Sequence, residues 1–191
     1  LSLEPLDQHD VNIQALQQAM QAADCPCYES FRFYNWIHRT AGQTFDQYLA
    51  ERPAQVRNTI ARKARKLERE HGYRIQLHTG EDVPQGLADY NAIYRASWKA
   101  HEQFSHILEP LVARFTERGW VRLGVLYIQE QPAAAQLWFV AHGKANIFRL
   151  AYDETWKRYS PGSILTRYLM EYVIDTDRVD EIDFLTGNEP Y

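Results

Sequence analysis

Residues 159–172 read YSPGSILTRYLMEY, and this stretch decides how the fold is interpreted. Ser160 is typical of a helix N-cap and Pro161 of the first helical position, where its missing N–H costs nothing. The apolar residues that follow recur at helical spacing, so the pattern predicts a helix. Gly162 then stands in the first turn, where glycine is unfavourable relative to alanine. One interpretation is that a ligand must approach the amides of this helix end; the other is a plain capped helix with a tolerated glycine.

The segments around this helix predict a mixed sheet. From residue 73 the predicted order is strand, helix, helix, three strands, helix and strand, at residues 73–79, 83–104, 107–119, 121–129, 133–143, 145–153, 160–177 and 181–187. Short turns join the three consecutive strands, which makes them antiparallel, and a helix precedes the last strand as a crossover requires. We therefore expect an α/β fold of the mixed α+β kind, with a mostly antiparallel central sheet and helices on both faces.

The N-terminal part has elements of its own. Residues 10–24 have helical periodicity, residues 28–38 alternate as a strand, and residues 44–53 indicate a short helix. A piece of this size is too small to be a secure domain by itself. We therefore predict an N-terminal extension over residues 1–52 and a main domain over residues 53–191.

The composition is that of an ordinary globular protein. Of 191 residues, 45% are hydrophobic and 24% charged, and the net charge of −4 argues against binding a polyanion by bulk charge. There is no apolar run long enough to span a bilayer. Cys25 and Cys27 are separated by one residue, a spacing that suits neither a zinc knuckle nor a redox pair. We expect free thiols in a reducing cytoplasm and no metal site.

The order of elements resembles the GNAT acyltransferase superfamily over about residues 57–191. The SPG helix start, followed by DF, Gly187, Glu189 and Tyr191 at the last strand end, is similar to the CelD-like acetyltransferase branch. That branch is related to the FemAB-type aminoacyl transferases, which carry two GNAT-like halves. The resemblance implies that residues 1–52 are an extension or the remnant of a preceding half-domain.

The same resemblance implies a site for acetyl-CoA or another acyl-CoA. In the superfamily, a V-shaped opening lies between the fourth and fifth strands, and the pyrophosphate of acyl-CoA sits on the amides that open the connecting helix. A helix N-terminus suits an anion because its amides are unpaired and its dipole is positive there. The residues implied to hold the acyl-CoA are Leu150, Ala151, Ser160, Pro161, Gly162, Ser163 and Ile164.

Acyl transfer to an amine needs a base for the ammonium group, a donor for the oxyanion and an acid for the thiolate. Asp183 and Glu189 are candidate bases and Tyr191 is a candidate acid, since all three lie at or just beyond the last strand. Asp183 is equally compatible with a structural carboxylate that bonds a loop, and surface roles suit the other two. The resemblance implies an oxyanion-binding backbone amide between Phe148 and Ala151.

Three other polar or aromatic residues have simpler interpretations. Asp153 precedes the glycine-bearing helix and is expected to cap the loop before it. Trp98 and His101 lie on a predicted helix that resembles the acceptor-side helix of the superfamily. A tryptophan there more often packs in the core, and a lone histidine more often lies on the surface.

Residues 57–74 carry a dense set of basic side chains. They are compatible with a solvated helix face with local ion pairs, such as Lys66 with Glu70, or with a surface that binds phosphates of tRNA, a nucleotide sugar or CoA. Aromatic residues do not alternate with the basic ones, which argues against single-stranded nucleic acid. We favour the ion-paired face.

Three functions follow. The first is an acyl-CoA-dependent N-acyltransferase that acts by direct attack on the thioester, with a small-molecule or sugar-linked amine as acceptor. The second is a FemAB-like transferase that uses aminoacyl-tRNA. The third is a non-catalytic GNAT-fold module in envelope polysaccharide biosynthesis, compatible with a phosphate loop that carries a single glycine.

Overall fold

The computed structural model describes residues 3, 4, 6, 7, 9–97 and 105–186. The strands of this part are Asn35–Arg39 (β1), Arg74–His78 (β2), Val121–Ile128 (β3), Gln131–Ala141 (β4), Lys144–Tyr152 (β5) and Glu181–Thr186 (β6). The α-helices are Val11–Ala22 (α1), Phe45–Glu51 (α2), Ala54–His71 (α3), Val83–Ala96 (α4), Ser105–Thr116 (α5) and Pro161–Glu171 (α6). Short 3₁₀ turns span Gly80–Asp82 and Glu154–Tyr159, and a π-helical turn, Tyr172–Thr176, follows α6. Among these helices, none combines the length and the apolar character that crossing a membrane requires.

The strands form one sheet in the order β1-β6-β5-β4-β3-β2. The pairs β2–β3, β3–β4 and β4–β5 are antiparallel, whereas β5 and β6 are parallel. A parallel neighbour needs a crossover connection, and α6 lies in the connection between β5 and β6. The central strands β3 and β4 are buried almost throughout, which explains their nearly continuous apolar sequences.

Helices cover both faces of the sheet. Along β4, Trp138 lies in the apolar cluster with α3 and α6, whereas its neighbour Leu137 lies in the cluster with α4 and α5, because successive side chains of a strand point to opposite faces. Leu165 and Leu169 of α6 are fully buried, each worth about 1.5–3 kcal/mol. Gly124 of β3 lets α6 lie close, since a Cβ there would come within 3.1 Å of both leucines. The predicted fold class is confirmed.

The chain divides into two compact units, with a boundary between Tyr34 and Asn35. The larger unit, Asn35–Leu185, contains the whole sheet apart from the last residue of β6, together with α2 to α6. In the smaller unit, α1 is capped by Asp10, whose side chain accepts from Asn12, and it has no buried residue. The predicted boundary at residue 52 stays a prediction, while β1 and α2 group with the sheet.

Candidate active site

The first turn of α6 is the glycine-bearing helix start. Ser160 occupies the N-cap position in a left-handed conformation, with φ 55° and ψ 53°, and its side chain makes no capping hydrogen bond. The expected side-chain cap is therefore wrong, because a capping side chain depends on extended dihedral angles at this position. The amide of Ile164 donates to the Ser160 carbonyl oxygen at 3.2 Å. Pro161 has no N–H, so the amides without a helical partner are those of Gly162 and Ser163.

Gly162 is not explained by the fold itself. Its φ angle is not positive, so the backbone conformation at this position does not require glycine. A Cβ at this position would meet only the Cδ1 of Tyr152 at 3.8 Å, an ordinary van der Waals contact. Ser163 is exposed beside it, whereas Pro161 and Ile164 are buried and serve the core. The glycine therefore leaves space on the outside of the helix start.

Gln136 of β4 holds this helix start in place. Its side chain is 2% exposed, and its Nε2 donates to the Gly162 carbonyl oxygen at 3.0 Å and to the Thr166 Oγ1 at 2.7 Å. Its Oε1 accepts from the Trp138 Nε1 at 3.0 Å. Sequence analysis did not identify this residue, although a glutamine in the middle of an apolar strand is a detectable signal.

The strands on either side of α6 pair over a short stretch. The parallel register joins residues 144–146 of β5 to residues 181–183 of β6, at the start of both strands. β5 continues to Tyr152. Within the described residues, its pairing with β6 therefore covers less than the first half of β5. This arrangement corresponds to the expected opening between the two strands that flank α6.

A β-bulge lies in β5 just beyond this point. Leu137 pairs with Arg149 and Trp138 pairs with Ile147, so Phe148 is the extra residue. A bulge disrupts the ladder locally and leaves the extra residue unpaired in it. Phe148 begins the region in which an oxyanion-binding amide was expected.

Leu150 and Ala151 follow the bulge. Their backbones lie opposite Gln136 and Ala135 in the ladder with β4. Leu150 is 38% exposed, whereas Ala151 is buried in the cluster beneath α4 and α5. Of these two predicted binding residues, Leu150 therefore presents its side chain to solvent.

Asp183 lies where β5 and β6 pair, and its carboxylate is 5% exposed. Its Oδ1 accepts from the Leu185 amide at 2.8 Å, and its Oδ2 accepts from the Asn35 Nδ2 at 3.2 Å. The Lys144 Nζ lies 3.1 Å from the same Oδ2. Proximity to Asp183 and Glu181 raises the pKa of Lys144 against the opposing effect of burial, which is the largest single influence. These contacts are those of a structural carboxylate, and a catalytic role for Asp183 stays a prediction.

The other predicted catalytic residues, Glu189 and Tyr191, lie outside the described residues, as do Trp98 and His101. Their roles remain predictions. Along β5, Asp183 therefore lies opposite Asn146, before the bulge, and the helix start is held by Gln136, which lies opposite Leu150, beyond it.

The loop between β5 and α6 is held at both ends. The Asp153 Oδ1 accepts from the Thr155 amide at 2.9 Å, which confirms the expected cap. At the other end the buried Tyr159 hydroxyl donates to the Glu70 Oε2 at 2.7 Å and lies 2.8 Å from the His71 Nε2. Burial and the Glu70 contact raise the pKa of Tyr159, and the same hydrogen bond lowers that of Glu70.

The basic residues of α3 extend beside this loop. The Lys63 Nζ donates to the Arg158 carbonyl oxygen, and the Lys66 Nζ lies 5.6 Å from the centre of the Tyr159 ring. The predicted Lys66–Glu70 ion pair is not among the ion pairs of the described residues. Glu70 accepts from Tyr159 and lies 3.4 Å from the Arg69 guanidinium, and Lys66 helps to lower its pKa without such a close contact. A cationic stripe remains on the exposed side of α3, formed by Arg62, Arg65, Lys66 and Arg69.

Solved structures share the fold. FemX superimposes with a TM-score of 0.65 at 12% identity, covering 92% of this chain and 61% of that chain. The C-terminal domain of a putative lysylphosphatidylglycerol synthetase from Agrobacterium fabrum gives 0.56 at 11% identity, covering 92% and 58%. L-PGS from Bacillus licheniformis gives 0.55 at 12% identity, covering 93% and 52%. The chain thus spans less than two thirds of each of these structures.

No match was found among curated proteins. A family model described as an acetyltransferase (GNAT) domain matches residues 54–191, most of the chain. The matched region contains β2 to β6 with α3 to α6, including the helix start, the bulge and the parallel strand pair. The chain belongs to the GNAT acetyltransferase domain family.

Proposed function

We propose that this member of the GNAT family is an acyltransferase that takes its acyl group from an acyl-CoA, with acetyl-CoA as the first candidate, and transfers it to an amine on a small-molecule or sugar-linked acceptor. The observation that carries the proposal is the start of α6, where the Gly162 and Ser163 amides lack helical partners. A glycine that the fold does not need leaves room for phosphate groups there. We place the reaction in a reducing cytoplasm, in line with the free Cys25 and Cys27.

The reaction is a direct displacement. The pyrophosphate accepts hydrogen bonds from the two free amides, and Gln136 keeps the turn that carries them against β4. The amine nitrogen attacks the thioester carbon, a C–N bond forms, and the C–S bond breaks with its electron pair on sulfur. The Phe148 bulge supplies a backbone amide for the oxyanion. Glu189 removes one proton from the ammonium group before the attack, and Tyr191 protonates the thiolate. The nitrogen loses its second proton as the C–N bond forms, and this proton restores the Tyr191 phenol.

Calorimetry with acetyl-CoA tests this proposal on the wild type and on Gly162→Asp. An aspartate next to the phosphates places like charges together at a cost of several kcal/mol, so we expect binding to weaken by about 100-fold or more. Gly162→Ala separates the effect of volume from that of charge, because its methyl group meets only Tyr152 at 3.8 Å in the free protein. It should weaken binding less than Gly162→Asp does. Binding that survives Gly162→Asp would exclude the helix start as the phosphate site. No binding by the folded wild type would exclude acyl-CoA as donor.

An aminoacyl-tRNA donor is the second candidate, favoured by the cationic stripe of α3. Arg62, Arg65 and Lys66 make no ion pair in the part of the chain that the structure describes. Neutralising phosphates with such a stripe releases counterions, so tRNA binding would fall steeply with salt concentration. In a double variant, Arg62→Gln with Arg65→Gln, the slope of log K against log salt concentration should become less steep by at most about two units. If neither acetyl-CoA nor tRNA binds, the non-catalytic module becomes the working hypothesis.

A further inference from the structure

Tyr90 of α4 has a buried hydroxyl with no evident use in the fold. The residue is 1% exposed, and among the described residues its hydroxyl has no partner in good hydrogen-bonding geometry. Leaving a buried polar group unpaired costs about 1–3 kcal/mol. Phenylalanine would fill the same space without that cost. A buried hydroxyl of this kind calls for a functional explanation.

The position of Tyr90 supplies one. Its side chain packs in the cluster that contains Ala151 of β5 and, at its edge, Phe148 of the bulge. The guanidinium of Arg149, also at the bulge, acts on the pKa of this hydroxyl as a nearby charge and as a weak hydrogen-bond donor. Because a guanidinium cannot accept, the proton of the hydroxyl still has no acceptor among the described residues. The hydroxyl therefore lies beneath the part of β5 that carries the proposed oxyanion-binding amide.

We propose that the Tyr90 hydroxyl donates a hydrogen bond to the carbonyl oxygen of the acyl group, alongside the backbone amide of the β5 bulge. This inference rests on the proposed acyl-CoA donor and adds to it a side chain on α4 that contacts the reacting carbonyl. As the amine attacks, negative charge grows on this oxygen. The charge is lost again when the C=O double bond re-forms and the C–S bond breaks. Tyr90 keeps its proton throughout, so it stabilises charge and is neither the acid nor the base.

The ionisation of Tyr90 agrees with this role. Burial raises the pKa of its phenol above the ordinary value of 10.0, and the nearby Arg149 opposes the rise. The hydroxyl consequently stays protonated at physiological pH. A protonated phenol in an apolar surrounding is a strong donor toward an oxyanion, because no water competes there.

Calorimetry on Tyr90→Phe tests the inference with two ligands, acetyl-CoA and S-ethyl-CoA. The second has a CH₂ group in place of the carbonyl and is otherwise matched. The bulge amide and the Tyr90 hydroxyl both favour acetyl-CoA, and one hydrogen bond accounts for about 3-fold to 10-fold of that preference. Tyr90→Phe should reduce the preference by that factor while leaving the affinity for S-ethyl-CoA unchanged. Tyr94→Phe, one helical turn further along α4 and stacked on Tyr90 at 5.9 Å, is the matched control and should keep the preference.

Unfolding of the free protein gives a second readout. A hydroxyl without a partner in the fold predicts that Tyr90→Phe is at least as stable as the wild type in urea. A clearly less stable variant that retains the preference for acetyl-CoA would overturn the inference and give the hydroxyl a structural role. A wild type that binds both ligands equally would overturn it as well. Failure of the wild type to bind either ligand would remove the proposed function, and this inference with it.

Discussion

The start of α6 and the junction at Asp183 are both polar sites beside the crossover, yet their hydrogen bonds differ. Asp183 has three partners, Lys144, Asn35 and the Leu185 amide. At the helix start, Ser160 makes no capping bond and two amides have no helical partner. Groups that the fold satisfies contribute to stability, whereas groups that it leaves open are available to a ligand.

The difference separates two hypotheses that the sequence left equal. Asp183 was a candidate base and also a candidate structural residue, and its contacts favour the structural role. Gly162 was a candidate phosphate contact and also a tolerated glycine, and its surroundings leave room for a side chain or a ligand. Four substitutions test this contrast between a satisfied and an open site.

The largest effect is expected from Asp183→Ala. Removing the carboxylate leaves Asn35 and the Leu185 amide without this acceptor, while Lys144 keeps its contact with Glu181. The free energy of unfolding in urea should therefore fall by about 2–4 kcal/mol. The partial exposure of Lys144 keeps the loss below that of a fully buried pair. Asp183→Asn retains an acceptor oxygen and should lose less. If Asp183→Asn were stable but inactive in acyl transfer, the base role would be restored and the contrast broken.

A smaller loss is expected from Gln136→Leu. The change removes the bonds to Gly162 and Thr166 in the first two turns of α6 and leaves the Trp138 Nε1 without its acceptor. The free energy of unfolding in urea should fall by about 1–3 kcal/mol. Acetyl-CoA should also bind more weakly, because the Gly162 carbonyl is no longer held. Gln131→Leu, at an exposed position of the same strand, is the control and should be nearly neutral. Unchanged binding by folded Gln136→Leu would show that the turn is positioned by other contacts.

The acid limb of the stability curve should depend on Glu70. Its pKa lies below the ordinary 4.5 because Tyr159 donates to the carboxylate, so the folded state binds a proton less readily than the unfolded state. The resulting stabilisation is present above pH 4.5 and is lost as the pH falls through the lower folded value. The melting temperature of Glu70→Gln should therefore fall less on acidification than that of the wild type. Glu81→Gln, which removes an exposed carboxylate from the turn before α4, is the control and should follow the wild type.

The smallest effect is expected from Ser160→Gly. Glycine adopts the left-handed conformation without the cost of about 1–2 kcal/mol that a side chain incurs, but it loses more entropy on folding. We expect a net gain of about 0.5–1 kcal/mol in urea unfolding. A loss of stability would mean that the Ser160 hydroxyl has a partner at the helix start, and the site would be less open than the structure indicates.

The sequence predicted what depends on neighbouring residues. The helix after Pro161, the strand order, the crossover and the Asp153 cap all follow from periodicity and local chemistry, and all are confirmed. Local reasoning failed where a distant group competes. The Lys66–Glu70 pair gave way to Tyr159, a residue that joins α3 only in the folded chain.

The sequence by itself determined the mixed sheet and marked Gly162 as unusual, because turn residues and hydrophobic period act within a few positions of one another. Only the tertiary structure decided that Gly162 is open on its outer side, that Gln136 anchors its turn and that Phe148 forms a bulge. It also satisfied Asp183 through Asn35, a residue far away in the chain, and left the Tyr90 hydroxyl without a partner among the described residues. The physical reason is that hydrogen-bond satisfaction depends on which groups meet in space, and strand pairing joins groups that sequence spacing does not relate.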